Sequence, residues 1–177
     1  MVTQTQAYKA MFIIIMGVSG CGKTTIGKRT ADKLGVPYYE GDEFHPLKNV
    51  DKMSQGIPLT DGDREDWLEK VSQLIQTKLV AGESGIFSCS ALKENYRKRL
   101  RIDPERVHLI YLKGSYELII SRLQNRTDHY MPVHLLRSQF DALEEPREVF
   151  TVNIDQLPDA ILSEVFSYLR DIGFPDG

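Results

Sequence analysis

Short apolar runs alternate along this chain with longer segments whose hydrophobic residues recur at helical spacing. Residues 1–10 are mostly polar and unpatterned, and read as a flexible tail. Met11–Met16 then forms a continuous apolar run with three consecutive isoleucines. A β-branched run of that length suits a strand covered on both faces, as in a parallel sheet. A glycine-rich turn follows, then Lys23–Leu34 at helical spacing, stopped by Gly35. Val36–Glu40 reads as a second strand, with Pro37 tolerated near its start. Residues 42–59 contain Pro46, Gly56 and Pro58 and predict a short helix between loops. Asp61–Ala81 is a strong helix, opened by acidic residues, with Trp67, Leu68, Val71, Leu74, Ile75 and Leu79 on its apolar stripe.

The second half repeats the alternation. Gly85–Ser88 begins a third strand, and Ala91–Arg101 predicts a basic helix. Val107–Leu112 is a fourth strand, followed by a helix from Ser115 to about Asn125. After a polar interruption, Arg126–Pro132, another helix runs to about Leu143. Val149–Ile154 is a fifth strand, and Pro158–Ile172 a last helix. Parallel neighbours need crossover connections, so the pattern predicts an α/β fold with helices on both faces of a five-stranded parallel sheet. One domain over residues 11–177 is expected, with ligands beyond the carboxyl ends of the strands.

A length of 177 residues fits one domain, and 41% hydrophobic with 27% charged residues excludes a disordered chain or a fibre. The 22 Lys and Arg against 25 Asp and Glu give a net charge of −3, so no basic field exists to hold nucleic acid. Cys21 and Cys89 make no disulfide framework and are expected to stay reduced. No apolar run approaches the ~18–20 residues that span a bilayer, and no secretory signal is evident. A cytoplasmic protein without a membrane partner is expected.

Gly17–Thr24 (GVSGCGKT) matches G-x-x-x-x-G-K-[ST] between a predicted strand and a predicted helix. Glycines at 17, 20 and 22 let successive N–H groups face one anion at a helix N-terminus. Lys23 brings a mobile charge to the outer phosphates, and Thr24 a hydroxyl for magnesium. Ser19, Cys21 and Thr25 complete the expected ATP-binding loop, with Cys21 a small filler and not a redox switch. No Asn-Lys-x-Asp tetrapeptide occurs, which argues against a GTPase, and the third strand lacks a terminal Asp. The carboxylates Glu40 and Asp42 close the second strand instead. Read alone, Asp42 is balanced between helix capping and service as a catalytic base.

Further constellations follow. Ser90 reads as a helix N-cap, with Lys93 and Arg97 four apart on one face beside Tyr96, an arrangement suited to a carboxylate. A solvated basic face explains Lys98, Arg99 and Arg101. Arg122 and Arg126 stand about one turn apart just before the irregular segment. Trp67 reads as core, and no His/Cys cluster has the spacing of a zinc site.

Together these stretches resemble the small P-loop gluconokinases, which phosphorylate D-gluconate with ATP. The resemblance rests on residues 16–24 (MGVSGCGKT), 41–46 (GDEFHP), 52–68 (KMSQGIPLTDGDREDWL), 89–97 (CSALKENYR), 111–114 (YLKG), 121–123 (SRL), 129–131 (HYM) and 139–146 (QFDALEEP). It implies a three-layer P-loop kinase with an acceptor region at about 42–66 and a mobile lid at about 124–133, where Arg122 and Arg126 close over triphosphate oxygens as transition-state arginines. It further implies Asp42 as base for the acceptor hydroxyl and Glu40 as a magnesium ligand through water. His45, Lys52 and Arg64 are similar to acceptor-pocket residues, joined by His129 and Gln139 from the lid side. The cofactors implied are ATP and Mg2+, and the assembly implied is a homodimer. Leu47 stands where relatives often carry a basic residue, so that charge is expected at Lys48 or Lys52.

Overall fold

Phe12–Met16 forms β1, and all five of its side chains are buried. Alternation along the strand sends Phe12, Ile14 and Met16 into one apolar layer and Ile13 and Ile15 into the other. The computed structural model describes residues 9–124 and 133–175. It surrounds β1 with β2 (Tyr38–Glu40), β3 (Gly85–Cys89), β4 (Val107–Lys113) and β5 (Phe150–Asn153). The order is β2-β3-β1-β4-β5 and every pairing is parallel. Helices α1 (Lys23–Leu34) and α7 (Pro158–Asp171) cover one face, with residues of α5 (Tyr116–Gln124) and α6 (Val133–Ala142). Helices α3 (Asp61–Val80) and α4 (Glu94–Leu100) cover the other.

This topology opens a crevice where the sequence places its candidate chemistry. The chain leaves β1 toward β2 but leaves β3 toward β4, so the loops after these adjacent strands part. Register aligns their ends: Met16 pairs with Cys89 and with Tyr111, and Glu40 pairs with Ser88. Among the described residues, no helix is long and apolar enough to cross a membrane.

The α/β architecture matches the expectation, and the boundaries shift in informative ways. The short helix expected within 42–59 is two elements, a 3-10 turn at Gly41–Phe44 and α2 at Leu47–Ser54. Helix α3 starts on a capping box: Asp63 N–H donates to Thr60 Oγ1 while Thr60 N–H donates to the Asp63 carboxylate. The basic helix expected from Ala91 begins only at Glu94, with Lys93 at the N-cap, so Ser90 is not a cap. The intervening residues are irregular because Ala91 adopts a left-handed φ of 44°. Both cysteines are free and buried. Residues 1–8 of the tail expected at 1–10 and most of the lid expected at about 124–133 lie outside the described residues.

Candidate active site

The loop after β1 curls over the N-terminus of α1. Gly20 and Gly22 hold φ of 85° and 98°, left-handed angles that let the chain turn its amides toward one point. Ser19, Gly20, Gly22, Lys23, Thr24 and Thr25 line a cavity of about 480 Å3, with Tyr38, Glu40 and Asp42 opposite. Lys23 Nζ folds onto the Val18 carbonyl at 3.1 Å. Gly17 and Cys21 lie beneath the loop: Cys21 is buried against Gly17, and burial raises its thiol pKa. A raised thiol fits the filler role and not a reactive one.

Thr24 donates its hydroxyl to Glu40 at 2.8 Å. Glu40 is held in turn by Tyr38 Oη at 2.6 Å and by Ser88 Oγ at 2.9 Å. This network fixes both carboxylate oxygens, and the sequence reading missed Tyr38 and Ser88. Glu40 sits beside the loop hydroxyl, the place from which an oxygen donor reaches a phosphate-bound cation. No group of three or more His, Cys, Asp or Glu among the described residues forms a metal site by itself.

Asp42 stands in the 3-10 turn directly after Glu40. Gly41 presses so closely on β3 that a Cβ there would lie 2.4 Å from the Ser88 carbonyl oxygen. Trp67 of α3 anchors the turn by donating its buried Nε1–H to the Gly41 carbonyl at 2.7 Å. Asp42 opens to solvent through two cavities at once, the loop cavity and a second of about 520 Å3. Although its side chain reaches solvent, desolvation by the protein around its base raises its pKa most, with Glu40 adding to the rise and Lys23 and Arg64 opposing it. A carboxyl raised in this way is a better proton acceptor than a free aspartate.

The second cavity is lined by Asp42, His45, Asp61, Arg64, Trp67 and Ala91, among others. His45 stacks on Trp67 with ring centroids 5.0 Å apart. Burial and the Arg64 charge lower its pKa to about 4, so the ring is neutral at physiological pH. Asn49 Nδ2 donates to the Asp63 carbonyl at 2.6 Å and faces His45 Nδ1 at 3.3 Å. Lys93 pairs with Asp61 at 2.7 Å, and Tyr96 Oη also donates to Asp61. Arg64 lies over the Tyr96 ring at 5.7 Å.

The structure thus gathers Asp42, His45, Arg64, Lys93 and Tyr96 around one cavity and adds Asp61 and Trp67, which sequence reasoning did not assign to it. Four expected contacts fall elsewhere. Lys52 is held by Asp63 at 2.7 and 2.9 Å and does not line the cavity, because Asp63 sits in the capping box beneath α2. Arg97 is buried behind the wall, its Nη1 donating to the carbonyls of Ala91 and Leu92. Arg122 donates to the Ile154 carbonyl at 2.5 Å and lines neither cavity. Gln139 of α6 binds the nucleotide loop and not the acceptor side: its Oε1 accepts from Ser19 N–H at 2.7 Å and its Nε2 donates to Ser19 Oγ at 2.9 Å. Arg126 and His129 lie outside the described residues.

Two cavities sharing one carboxylate, one walled by a phosphate-binding loop, describe a phosphoryl-transfer enzyme, and known proteins agree. The shikimate kinase family matches residues 19–159. A thermosensitive gluconokinase of Escherichia coli (strain K12) is 50% identical over 134 residues, 76% of this chain and 72% of that protein. A gluconokinase of Gluconobacter oxydans (strain 621H) is 40% identical over 165 residues, covering 92% and 93% of the two chains. The crystal structure of a gluconokinase from Sinorhizobium meliloti 1021 superposes with a TM-score of 0.85 at 38% identity, covering 93% of this chain and 94% of that one. This chain belongs to the gluconokinase family, within the shikimate-kinase-like P-loop kinases.

Proposed function

We propose that the protein transfers the γ-phosphoryl group of ATP to the terminal hydroxyl of D-gluconate, giving 6-phospho-D-gluconate and ADP. The observation that carries this reading is the position of Asp42 in the wall common to both cavities. ATP phosphates lie along the amides of the Ser19–Thr25 loop, with Lys23 swinging from the Val18 carbonyl onto the outer phosphates. Thr24 and Glu40 are the residues that would hold the magnesium arriving with ATP, which would supply neutralisation of charge on the phosphate oxygens.

Gluconate fills the second cavity. Arg64 takes its carboxylate, since Lys93 is already neutralised by Asp61 and Arg97 is walled off. Asp61, Lys93, Tyr96 and neutral His45 meet its hydroxyls, and Asp42 orients the terminal one. As the new P–O bond forms, the bond from γ-phosphorus to the ADP oxygen breaks, and the hydroxyl proton passes to Asp42. Gln139 of α6 holds the nucleotide loop at Ser19.

An acceptor panel of gluconate, shikimate and a nucleoside monophosphate, read by ADP release and by phosphorus NMR of the product, tests the assignment. Turnover with gluconate and a phosphomonoester on its terminal carbon are expected. Turnover of another acceptor with none of gluconate overturns the substrate assignment.

A further inference from the structure

The acceptor cavity has one wall whose backbone is held under tension. Ala91 lines that cavity, is buried, and is the one non-glycine with positive φ among the described residues. Alanine resists this region because its Cβ crowds the neighbouring carbonyl, so something must hold the turn. The agent is Arg97. The residue is 6% exposed, and its Nη1 donates to Ala91 O at 3.1 Å and to Leu92 O at 2.8 Å. A rigid donor gripping two successive carbonyls fixes the peptide between them.

The rest of the segment is tied on either side. Leu92 O also accepts from Glu144 N–H at 3.0 Å, and Glu94 N–H donates to the Glu144 carboxylate at 2.6 Å. Upstream, Ser90 O accepts from Gly17 N–H at 3.3 Å, at the end of β3 where sheet register already sets the backbone. The nucleotide loop therefore meets a part of the segment that does not need Arg97, whereas the acceptor cavity meets the part that does.

We propose that Arg97 is a positioning residue for acceptor binding: from behind the wall it holds the left-handed turn at Ala91, and through that turn the shape of the acceptor cavity. This rests on the gluconate reading, and its chemistry differs from a direct grip on the substrate carboxylate. A direct ligand, once removed, is not restored by relaxing a backbone. A strained turn is, because glycine accepts a positive φ without penalty.

The test compares wild-type protein with Arg97→Met, Arg97→Lys, and each combined with Ala91→Gly. Steady-state KM is measured separately for gluconate and ATP. Arg97→Met is expected to raise the gluconate KM about tenfold or more with the ATP KM within about twofold, and Arg97→Lys to fall between. Adding Ala91→Gly is expected to recover at least about threefold of the gluconate loss. If Arg97→Met does not fold, the lysine pair carries the same comparison. Equal losses for both substrates, an unchanged gluconate KM, or no recovery with glycine overturns the proposal. Should the wild type fail on gluconate, the substrate reading falls alone, and the variants are compared on whichever panel acceptor it phosphorylates.

Discussion

Replacing Trp67 with phenylalanine probes how the fold aims its base. The indole donates to Gly41 O at 2.7 Å and stacks on His45, so it ties α3 to the turn that carries Asp42. Phenylalanine keeps an aromatic ring but removes the donor to the Gly41 carbonyl, a lost hydrogen bond that costs about 0.5–1.5 kcal/mol. Losing the larger ring surface adds about 1 kcal/mol. The sum, about 1.5–2.5 kcal/mol, lowers Tm by roughly 3–10 °C in a chain of this size. The freed turn also lets Asp42 drift, and a shift near 1 Å costs on the order of 100-fold in rate, so kcat is expected to fall about 10–100-fold. The proposed ATP contacts lie on the other side of Asp42, leaving the ATP KM within about twofold. Circular dichroism melts and kinetics well below Tm read both quantities. A Tm within about 2 °C of wild type together with kcat within about twofold refutes the anchoring role.

Other outcomes follow from the same geometry. Tyr38→Phe removes one of the hydroxyls holding Glu40 and is expected to raise the magnesium concentration for half-maximal rate about tenfold, with the gluconate KM unchanged. Arg64→Met is expected to raise the gluconate KM at least about tenfold, whereas Lys52→Met changes it by less than about threefold, because Lys52 serves Asp63; equal effects contradict the assignment. His45 titrates at about 4 when folded and near 6.5 when unfolded, so below 6.5 the unfolded chain binds the extra proton. Its contribution to stability is complete above pH 6.5 and is lost as pH falls toward 4; His45→Gln is expected to flatten urea-unfolding stability across that window.

The fold was legible because its signals are local. The isoleucine run of β1, the Gly35 stop of α1 and the acidic start of α3 each dictate an element without reference to the rest of the chain. The phosphate loop was legible for the same reason, as was Asp42 at a strand end. What escaped depends on partners distant in sequence. Lys52 and Arg97 are cations at plausible spacings, but only tertiary packing reveals that Asp63 and two backbone carbonyls claim them. Ser90 looked like a cap because nothing local announces that Ala91 turns left-handed. Trp67 fits an apolar stripe equally well with or without its bond to Gly41. A capping-box signature, Thr60 followed three residues later by Asp63, did offer a hint that Asp63 was occupied.

The claim on which the mechanism stands is that the Asp42 carboxylate serves both cavities as proton acceptor. Its raised pKa means that ionisation costs more in the folded chain than in the unfolded one, so any stability it adds at low pH is lost as pH rises through the folded value. Asp42→Asn keeps the shape, removes the charge, and is expected to melt no lower than wild type at neutral pH. Its kcat for gluconate phosphorylation is predicted to fall about 100- to 10,000-fold with the ATP KM little changed. A folded Asp42→Asn protein that turns over gluconate at the wild-type rate contradicts the account.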